Sequence, residues 1–499
     1  MAAKSEKADS RPAAVVDIGS NSIRMVVFRD RTRAPVAVFN ERVICGIGRD
    51  TARTGRLHAE GVEKALVNLP RFAAIAQSMD IDDTAILATA ATRETDDGPQ
   101  FLKKVEKIFG QPVLQLDGDE EARLAASGVL CGLPNARGIA ADLGGGSLEL
   151  AALSASEMGA FQTLPLGPLR LLTTVGNERR DIVTTVDEAL AGLDWLPDAA
   201  KGGAIYLVGG AWRALARLHM VQTGYPLRVI HNYRISGREA RDFCDVVAGL
   251  GAETLARIDV VPKARVTTLP LAAVVLQRLI AGSRAGQIVF SALGIREGRL
   301  FETLDKQQRA RDPLIVACEQ FSERESRFPG MSASIFEWIA PLFPDERPAD
   351  TRLRLAACLL ADIGWHEHPD YRAEQVYFRI LRLPLLAMTH EEKTRIALAV
   401  YRRYGGSMSD PSLRTADALL TEDDIDWACK LGAALRVAET LTAGNARLLE
   451  GAQLKLTDDE LILKMENGHA ALLGEVVRNR FGSLARRFGR DGRIEGKGL

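Results

Sequence analysis

Two short segments of this 499-residue chain repeat one order of residue types. Each closes an apolar run with an aspartate, Asp17 or Asp142, and then continues through small residues to a serine and an aliphatic residue. Glycine lets the backbone approach an anion closely, and serine or asparagine side chains add hydrogen-bond donors. An aspartate at the end of a strand can also hold a hard divalent cation, usually through water. The repeat therefore predicts a phosphate-binding clamp of two facing turns, whose donors are Ser20, Asn21, Ser22, Gly144, Gly145, Gly146 and Ser147.

Two further segments place polar or flexible residues at the start of a helical pattern. Gly209 and Gly210 follow an apolar run and precede a helix, which suits an anion at a helix N-terminus, with an ordinary strand-to-helix turn as the alternative. Glu120 and Glu121 lie in the acidic opening of another helix. Because the positive end of a helix dipole favours ionised carboxylates, stabilisation of the first turn is one interpretation and acid–base chemistry is the other.

Strand and helix patterns alternate up to about residue 308, which is typical of α/β domains. Apolar runs at 84–91 and 204–208 predict strands, and apolar residues at helical spacing predict helices over 59–79 and 269–281. Beyond this point helical periodicity dominates, apart from a hairpin-like pattern over 453–464. The predicted organisation is a tail over 1–12, α/β domains over 13–137 and 138–308, and a mainly α-helical domain over 309–499.

Composition excludes several classes of protein. The formal net charge of -1 provides no overall positive field for nucleic acid or an anionic membrane, so neither is an expected partner. The six cysteines are scattered without a CxxC pair, which fits buried thiols in a reducing compartment and neither a zinc site nor a disulfide framework. No apolar run approaches the roughly 18 residues of a membrane span, and the opening residues are polar, so a cytoplasmic location is predicted.

Several motifs carry a family resemblance when they are taken together. They are Asp17-Ile-Gly-Ser-Asn-Ser22, Ala88-Thr-Ala-Ala-Thr-Arg93, Asp119-Glu-Glu-Ala-Arg-Leu124, Asp142-Leu-Gly-Gly-Gly-Ser-Leu-Glu149, Gly209-Gly210 and Gly294-Ile-Arg-Glu-Gly298. In type, order and spacing they resemble the exopolyphosphatase and guanosine pentaphosphate phosphatase family. The resemblance implies two actin-like, ribonuclease-H-like α/β domains with the active site in the cleft between them, followed by a helical domain that is similar to degenerate HD domains.

The resemblance also implies a reaction and a set of site residues. Family members hydrolyse a terminal phosphoanhydride bond with water as nucleophile and Mg²⁺ as helper, for which Mn²⁺ is the expected substitute. Glu121 matches the general base, with Glu120 as the rival, and Arg93 matches an arginine that reaches into the cleft. Asp142 and Glu149 match Mg²⁺ ligands, with Asp17 close enough to assist. Each of two residues also has an alternative without a role in the reaction: Arg93 could be a charge on the surface, and Glu149 a strand residue that faces outward.

These implications favour an exopolyphosphatase that releases orthophosphate from the ends of inorganic polyphosphate. Hydrolysis of guanosine pentaphosphate to the tetraphosphate is the nearest alternative, because both substrates end in the same anhydride. Two alternatives come from other functional classes. One is a sensor that binds polyphosphate or guanosine tetraphosphate, and the other is a kinase on the same superfold. The resemblance also implies a homodimer.

The C-terminal region departs from the family pattern. Ala361 stands where an HD domain has a metal-binding histidine, and Glu439 stands where such a domain has an aspartate. We therefore expect no metal centre there, and we expect His366 and His368 to lie in a loop or on the surface. The basic end of the chain is expected to be a solvated face and consists of Arg478, Arg480, Arg486, Arg487, Arg490, Arg493 and Lys497.

Overall fold

The computed structural model describes residues 11–81, 83–155, 157–328, 330–466 and 469–496. The chain divides into two compact units, Met1–Arg311 and Asp312–Leu499, here called the first and the second unit. Of the predicted tail over 1–12, only Arg11 and Pro12 belong to the described residues, and Lys497 at the other end lies outside them.

The first half of the first unit is a five-stranded sheet with helices packed on it. Its elements are β1 (Ala13–Ile18), β2 (Ser22–Phe28), β3 (Ala37–Ile44), α1 (Thr51–Thr54), α2 (Ala59–Ser78), β4 (Thr84–Ala88), α3 (Ala90–Arg93), α4 (Gly98–Phe109), β5 (Val113–Gln115) and α5 (Gly118–Gly132). The strand order is β3-β2-β1-β4-β5, in which β1 pairs antiparallel with β2 and parallel with β4. Apolar residues at helical spacing on α2, Ala65, Leu69, Phe72 and Ala76, bury one helix face in the core of this half.

The second half of the first unit repeats this arrangement with a six-stranded sheet. Its elements are β6 (Arg137–Leu143), β7 (Leu148–Ser154), β8 (Glu157–Leu164), α6 (Pro168–Thr174), α7 (Arg179–Ala191), α8 (Leu196–Ala200), β9 (Ala204–Val208), α9 (Gly210–Gln222), β10 (Tyr233–Ser236), α10 (Gly237–Ala248), α11 (Ala252–Ala256), α12 (Leu269–Ser283), β11 (Gln287–Phe290), α13 (Ile295–Thr303) and α14 (Lys306–Ala310). The strand order is β10-β11-β9-β6-β7-β8. As in the first sheet, three consecutive antiparallel strands form a meander, here β6, β7 and β8. The first of them also pairs with a parallel neighbour, here β9.

The second unit is mainly helical, as the sequence predicts. Its elements are α15 (Pro313–Glu325), α16 (Met331–Ile339), α17 (Pro348–Leu360), α18 (Arg372–Arg382), α19 (His390–Arg403), α20 (Arg414–Leu419), α21 (Glu422–Thr442), α22 (Arg447–Glu450), β12 (Ala452–Leu456), β13 (Glu460–Met465), α23 (Glu475–Arg487) and β14 (Asp491–Glu495). The predicted hairpin is β12 and β13, and β14 adds a parallel third strand. The sequence analysis missed β14 because its residues are almost all polar or charged, so no apolar alternation marks them as a strand.

In the HD-like region, two arginines pair with Glu439 and with Asp362, the residue after Ala361. The Arg327 guanidinium lies 2.6 Å from Asp362 and 3.0 Å from Glu439. Arg403 lies 3.3 Å from Asp362 and 3.1 Å from Glu439. The two carboxylates are thus balanced by two guanidinium groups within the second unit.

Other predicted features of the chain can be located directly. His366 and His368 are exposed on a turn that follows α17. All six cysteines are free and buried, as expected of small apolar side chains: Cys45, Cys131, Cys244, Cys318, Cys358 and Cys429. Within the described ranges, no helix combines the length and the apolar character that crossing a membrane requires.

Candidate active site

One cavity of the first unit gathers most of the residues that the sequence analysis selected. The acidic side chains of Asp17, Glu121, Asp142 and Glu149 line it. All predicted phosphate-binding residues line it as well: Ser20, Asn21, Ser22, Gly144, Gly145, Gly146, Ser147, Gly209 and Gly210. Residues that are far apart in the sequence therefore meet where the two halves of the unit face each other.

The two repeated turns have the same local geometry and lie against each other. In the first, the N–H of Gly19 donates to the carbonyl of Ser22 at 3.1 Å, and in the second the N–H of Gly144 donates to the carbonyl of Ser147 at 3.0 Å. A Cβ atom added to Gly145 would lie 3.5 Å from the Cβ of Ser20. The two turns are thus within van der Waals reach of each other, which is the arrangement that a two-sided clamp requires.

Strand register places a basic residue opposite the aspartate in one hairpin and an acidic residue opposite it in the other. Asp17 on β1 is paired with Arg24 on β2, and Asp142 on β6 is paired with Glu149 on β7. Arg24 is in turn paired with Arg42 on β3. The first hairpin therefore presents a row that becomes basic toward the sheet edge, whereas the second presents two neighbouring carboxylates.

Burial changes the acidity of the cavity carboxyl groups. It raises the pKa of Glu121 to about 7, although the hydrogen bond and charge of Arg93 oppose this. Burial also raises the pKa of Asp142 to about 6, against the opposing charge of Arg213. Burial and the charges of Glu121 and Asp142 together raise the pKa of Glu149 well above its ordinary value. Carboxyl groups with raised pKa values in a cleft are candidates for acid–base or cation-binding chemistry.

Glu120 and Glu121 have different surroundings, although they are adjacent in the sequence. The Glu120 carboxylate accepts a hydrogen bond from the backbone N–H of Asp117 at 2.9 Å, completing a capping box at the start of α5. Glu121 points the other way, is only 4% exposed, and lines the cavity. The capping role of the Glu120 side chain favours Glu121 over Glu120 as the candidate catalytic residue.

Arg93 contacts the cavity through Glu121. Its Nη1 atom donates to Oε1 of Glu121 at 2.7 Å and also to the carbonyl of Leu116. Arg93 is not among the residues that line the cavity. Its place is beside the glutamate, where its charge and hydrogen bond favour the ionised carboxylate.

Asp17 is already paired with a cation from the protein. Arg296 at the start of α13 donates through Nη1 to Oδ2 of Asp17 at 2.8 Å. Burial raises the pKa of Asp17, and the Arg296 charge partly offsets that effect. Arg296 belongs to the Gly294-Ile-Arg-Glu-Gly298 motif, whose charged residues between two glycines were the only sign of it in the sequence.

Arginines form the part of the site that the sequence analysis did not identify. Arg24, Arg42, Arg213 and Arg265 all line the cavity. The pKa values of Arg24, Arg213 and Arg265 are each lowered to about 10. Burial is the main cause, and repulsion from neighbouring arginines is the second; for Arg265 the first of these neighbours is Arg42. The one detectable signal was the charge of Arg24, which lies seven positions after Asp17, just as Glu149 lies seven positions after Asp142 in the other copy of the repeat.

Gly209 and Gly210 connect β9 to α9 at the cavity wall. Gly209 has φ of 108°, and a Cβ atom added there would lie 2.6 Å from the carbonyl oxygen of Leu143. Only glycine fits this turn without strain. The N-terminal turn of α9 therefore reaches the cavity and presents backbone N–H groups and Arg213 to it.

The acidic side of the cavity is suited to a divalent cation. Oε1 of Glu149 is buried without a hydrogen-bond partner in the structure. Across the described ranges, no three or more His, Cys, Asp or Glu side chains form a complete metal-binding group. Mg²⁺ usually needs only one or two carboxylates and takes its other ligands from water and phosphate. Asp142 and Glu149 meet this requirement, whereas Asp17 is engaged by Arg296.

Comparison with known proteins agrees with this geometry. A sequence model described as the Ppx/GppA phosphatase family matches residues 26–307, and one described as exopolyphosphatase, C-terminal, matches residues 314–494. Retrograde regulation protein 2 of Saccharomyces cerevisiae is 24% identical over 441 residues, which are 79% of this chain and 73% of the yeast protein.

Solved structures resemble the first part of the chain in fold. The Ppx/GppA family member of Aquifex aeolicus matches with a TM-score of 0.51 and 20% identity over 60% of this chain and 99% of its own. An exopolyphosphatase from Cytophaga hutchinsonii matches with a TM-score of 0.54 and 19% identity over 59% of this chain and 99% of its own. The predicted fold of two actin-like α/β domains followed by a helical region is confirmed. The chain belongs to the Ppx/GppA phosphatase family and is a hydrolase of phosphoanhydride bonds.

Proposed function

We propose that this protein is an exopolyphosphatase that removes orthophosphate, one unit at a time, from the ends of inorganic polyphosphate. The observation that carries the proposal is the row of cavity arginines next to a group of buried carboxylates. A terminal phosphate between the two turns would leave the following phosphates beside Arg24, Arg213 and Arg265. Guanidinium groups pair well with the oxygens of successive phosphates because each presents several donors in a fixed plane.

Glu121 is the residue that we propose for activating water. Because its pKa is about 7, Glu121 is ionised in a large fraction of the protein molecules near neutral pH and can then accept a proton. Water attacks the terminal phosphorus, the bond to the bridging oxygen breaks, and the water proton passes to the Glu121 carboxylate. The products are orthophosphate and a chain shorter by one phosphate. Arg93 keeps the Glu121 carboxylate in place for this step.

The turns and carboxylates would perform the remaining tasks of phosphoryl transfer. Backbone and side-chain donors of Ser20, Asn21 and Ser147 would hold the terminal phosphate oxygens. Asp142 and Glu149 are the residues that would hold Mg²⁺. When bound, this ion would neutralise charge that develops on the phosphate oxygens. Because Glu149 has a buried oxygen without a partner, the site has acceptor capacity that its own side chains leave unused.

Polyphosphate is favoured over guanosine pentaphosphate by the character of the cavity lining. The described lining residues include no Phe, Tyr or Trp side chain on which a guanine base could stack. They do include arginines that continue from Arg24 on β2 to Arg42 on the edge strand β3. A repeating anion needs such a continuous basic surface, whereas a nucleotide needs a base pocket.

The experiment that tests the proposal compares three substrates on purified full-length protein. Orthophosphate release is measured from long-chain polyphosphate, guanosine pentaphosphate and ATP, each with Mg²⁺, with Mn²⁺ and with a chelator. Fastest release from polyphosphate that disappears with the chelator supports the proposal. Faster release from guanosine pentaphosphate would replace it with an alarmone phosphatase, and binding without release from any substrate would replace it with a sensor.

Two further parts of the proposal concern the protein in the cell. The six free, buried cysteines are what a reducing compartment permits, which supports a cytoplasmic location. A homodimer is proposed from the family resemblance alone. Light scattering at micromolar concentration checks it, and a monomeric mass would remove this part.

A further inference from the structure

An ion pair joins the two halves of the first unit beside the cavity. Oε2 of Glu94, the residue that ends α3, accepts a hydrogen bond from Nη2 of Arg170 on α6. The Glu94 side chain is 35% exposed and the Arg170 side chain 20% exposed, so the pair lies at the surface with its arginine half-buried. The proposed reaction assigns no role to either residue.

Each end of this pair is attached directly to a part of the proposed site. Glu94 follows Arg93, whose guanidinium holds Glu121. The backbone N–H groups of Leu169 and Arg170 both donate to the carbonyl of Gly145 in the second phosphate turn, at 2.9 and 3.4 Å. The pair therefore links the support of the general base to the support of the second turn.

The helix that carries Arg93 has little means of holding its own orientation. Helix α3 has four residues, and its N-cap residue, Thr89, makes no side-chain capping hydrogen bond. A single helical turn is unstable by itself, because few backbone hydrogen bonds offset the entropy of ordering it. Burial of Ala90, Ala91 and Thr92 fixes the helix against the core. At its C-terminal end, the contact of Glu94 with Arg170 adds a restraint from the other half of the unit.

We propose that Glu94 and Arg170 are positioning residues, which keep Arg93 on Glu121 while the second phosphate turn closes on the first. The pair acts through Arg93 and makes no contact with the reacting phosphate in this account. The proposal rests on the proposed function, because its effect is measured as phosphate release. It adds Glu94, which directly follows α3, and Arg170 on α6 to the residues that determine the rate of the chemical step.

A double-mutant cycle tests the proposal with a readout that a purely structural role would leave unchanged. kcat is measured for Glu94→Gln, Arg170→Gln and their combination, and for Arg93→Ala with and without Glu94→Gln. We expect each Gln variant to lower kcat about tenfold with little change in KM, and the combination to be no worse than either alone. In the Arg93→Ala background, Glu94→Gln should have no further effect. Arg170→Lys, which keeps the charge, should stay within about threefold of wild type.

The control is an ion pair of comparable exposure away from the cavity. Arg278 on α12 contacts Asp187 on α7 at 2.6 Å, and the two side chains are 33% and 42% exposed. Arg278→Gln should leave kcat unchanged. The proposal would be overturned if Glu94→Gln lowered kcat by the same factor in the Arg93→Ala background as in wild type. It would also be overturned if the Gln variants of the pair lowered kcat no more than this control. Should a Gln variant fail to fold by thermal unfolding, Glu94→Asp replaces it in the same cycle.

The substrate is chosen so that the two hypotheses fail separately. kcat is measured with whichever of polyphosphate and guanosine pentaphosphate the wild-type protein hydrolyses faster. Slow release from polyphosphate by wild type removes the proposed substrate, whereas additive effects in an active protein remove the positioning role.

Discussion

At the residue scale, the site depends on carboxyl groups that the fold buries together. Glu121, Asp142 and Glu149 all have raised pKa values, and burial is the first cause for each. Two neighbouring glutamates separate into different roles only because α5 begins where it does. Position N3 of this helix directs Glu120 back to the cap, and the next residue, Glu121, faces the cavity.

The first prediction concerns the general base. Glu121→Gln keeps the size of the side chain and removes its ability to accept a proton, so kcat should fall about 10² to 10⁴-fold. Polyphosphate binding, measured by calorimetry, should remain, because Glu121 is proposed to act on water. Glu120→Gln is the matched control and should keep the wild-type rate, since glutamine also completes a capping box. An unchanged rate in Glu121→Gln would exclude it as the base.

The second prediction concerns pH. The base must be ionised to accept a proton, and the pKa of Glu121 is about 7. kcat/KM for polyphosphate should therefore rise with pH and level off above about 7, tenfold per pH unit on the acid side. Arg93→Ala should move this midpoint to higher pH, because the Arg93 hydrogen bond and charge lower the pKa. A midpoint that moves to lower pH in that variant would contradict the assignment.

At the element scale, the two copies of the repeated hairpin carry different charges. The strand register is the same in both copies, yet the residue opposite the aspartate is Arg24 in one and Glu149 in the other. Like charges that face each other across a sheet destabilise it, and Arg24 faces Arg42 directly. A bound polyanion would relieve this repulsion, which is consistent with the proposed binding of polyphosphate along this row.

The third prediction follows from this arginine row. Arg42→Gln should raise KM for polyphosphate about tenfold with little change in kcat, because Arg42 lies beyond the reacting phosphate. The same variant should have a melting temperature equal to or above that of wild type without substrate, since it removes the repulsion with Arg24. A fall in kcat with unchanged KM would place Arg42 at the reacting phosphate and contradict the row.

At the scale of the whole molecule, the site reduces the stability of the unit that contains it. A carboxyl group whose pKa is raised by folding contributes its full stability below its ordinary pKa, and that stability is lost as pH rises through the folded value. Glu149, with an ordinary value of 4.5 and a pKa well above it in the fold, is such a group. The burial of Glu149 therefore lowers the stability of the first unit as pH rises above the ordinary pKa of this residue.

The fourth prediction measures this cost. With a chelator present at pH 8, Glu149→Gln should have a higher melting temperature than wild type, by about 2 to 4 °C for each kcal/mol that the substitution adds to the free energy of unfolding. At pH 5 the two melting temperatures should be nearly equal. Mg²⁺ should raise the melting temperature of wild type more at pH 8 than at pH 5, because it binds the ionised carboxylates. It should have less effect on Glu149→Gln. An equal effect of Mg²⁺ on both proteins would place the ion elsewhere.

Local patterns were sufficient to predict the elements and most of the acidic and glycine residues of the site. Strand 204–208 is found with the predicted bounds, and the predicted helix 59–79 is Ala59–Ser78. These features depend on side-chain periodicity and turn chemistry, which act over a few residues. The motif order also identified the family, because each motif is a local requirement of one phosphate-binding turn.

Only the tertiary structure decided which charges face the cavity. Arg213 on α9 and Arg265, which follows β10 and α11 in the chain, line the cavity although the sequence around them shows no sign of it. Asp17 is paired with Arg296, 279 positions away. The separation of Glu120 from Glu121 likewise depends on how α5 is oriented in the unit. Charge interactions act between residues that are distant in sequence, so their partners and pKa values are set only once the two halves have closed on each other.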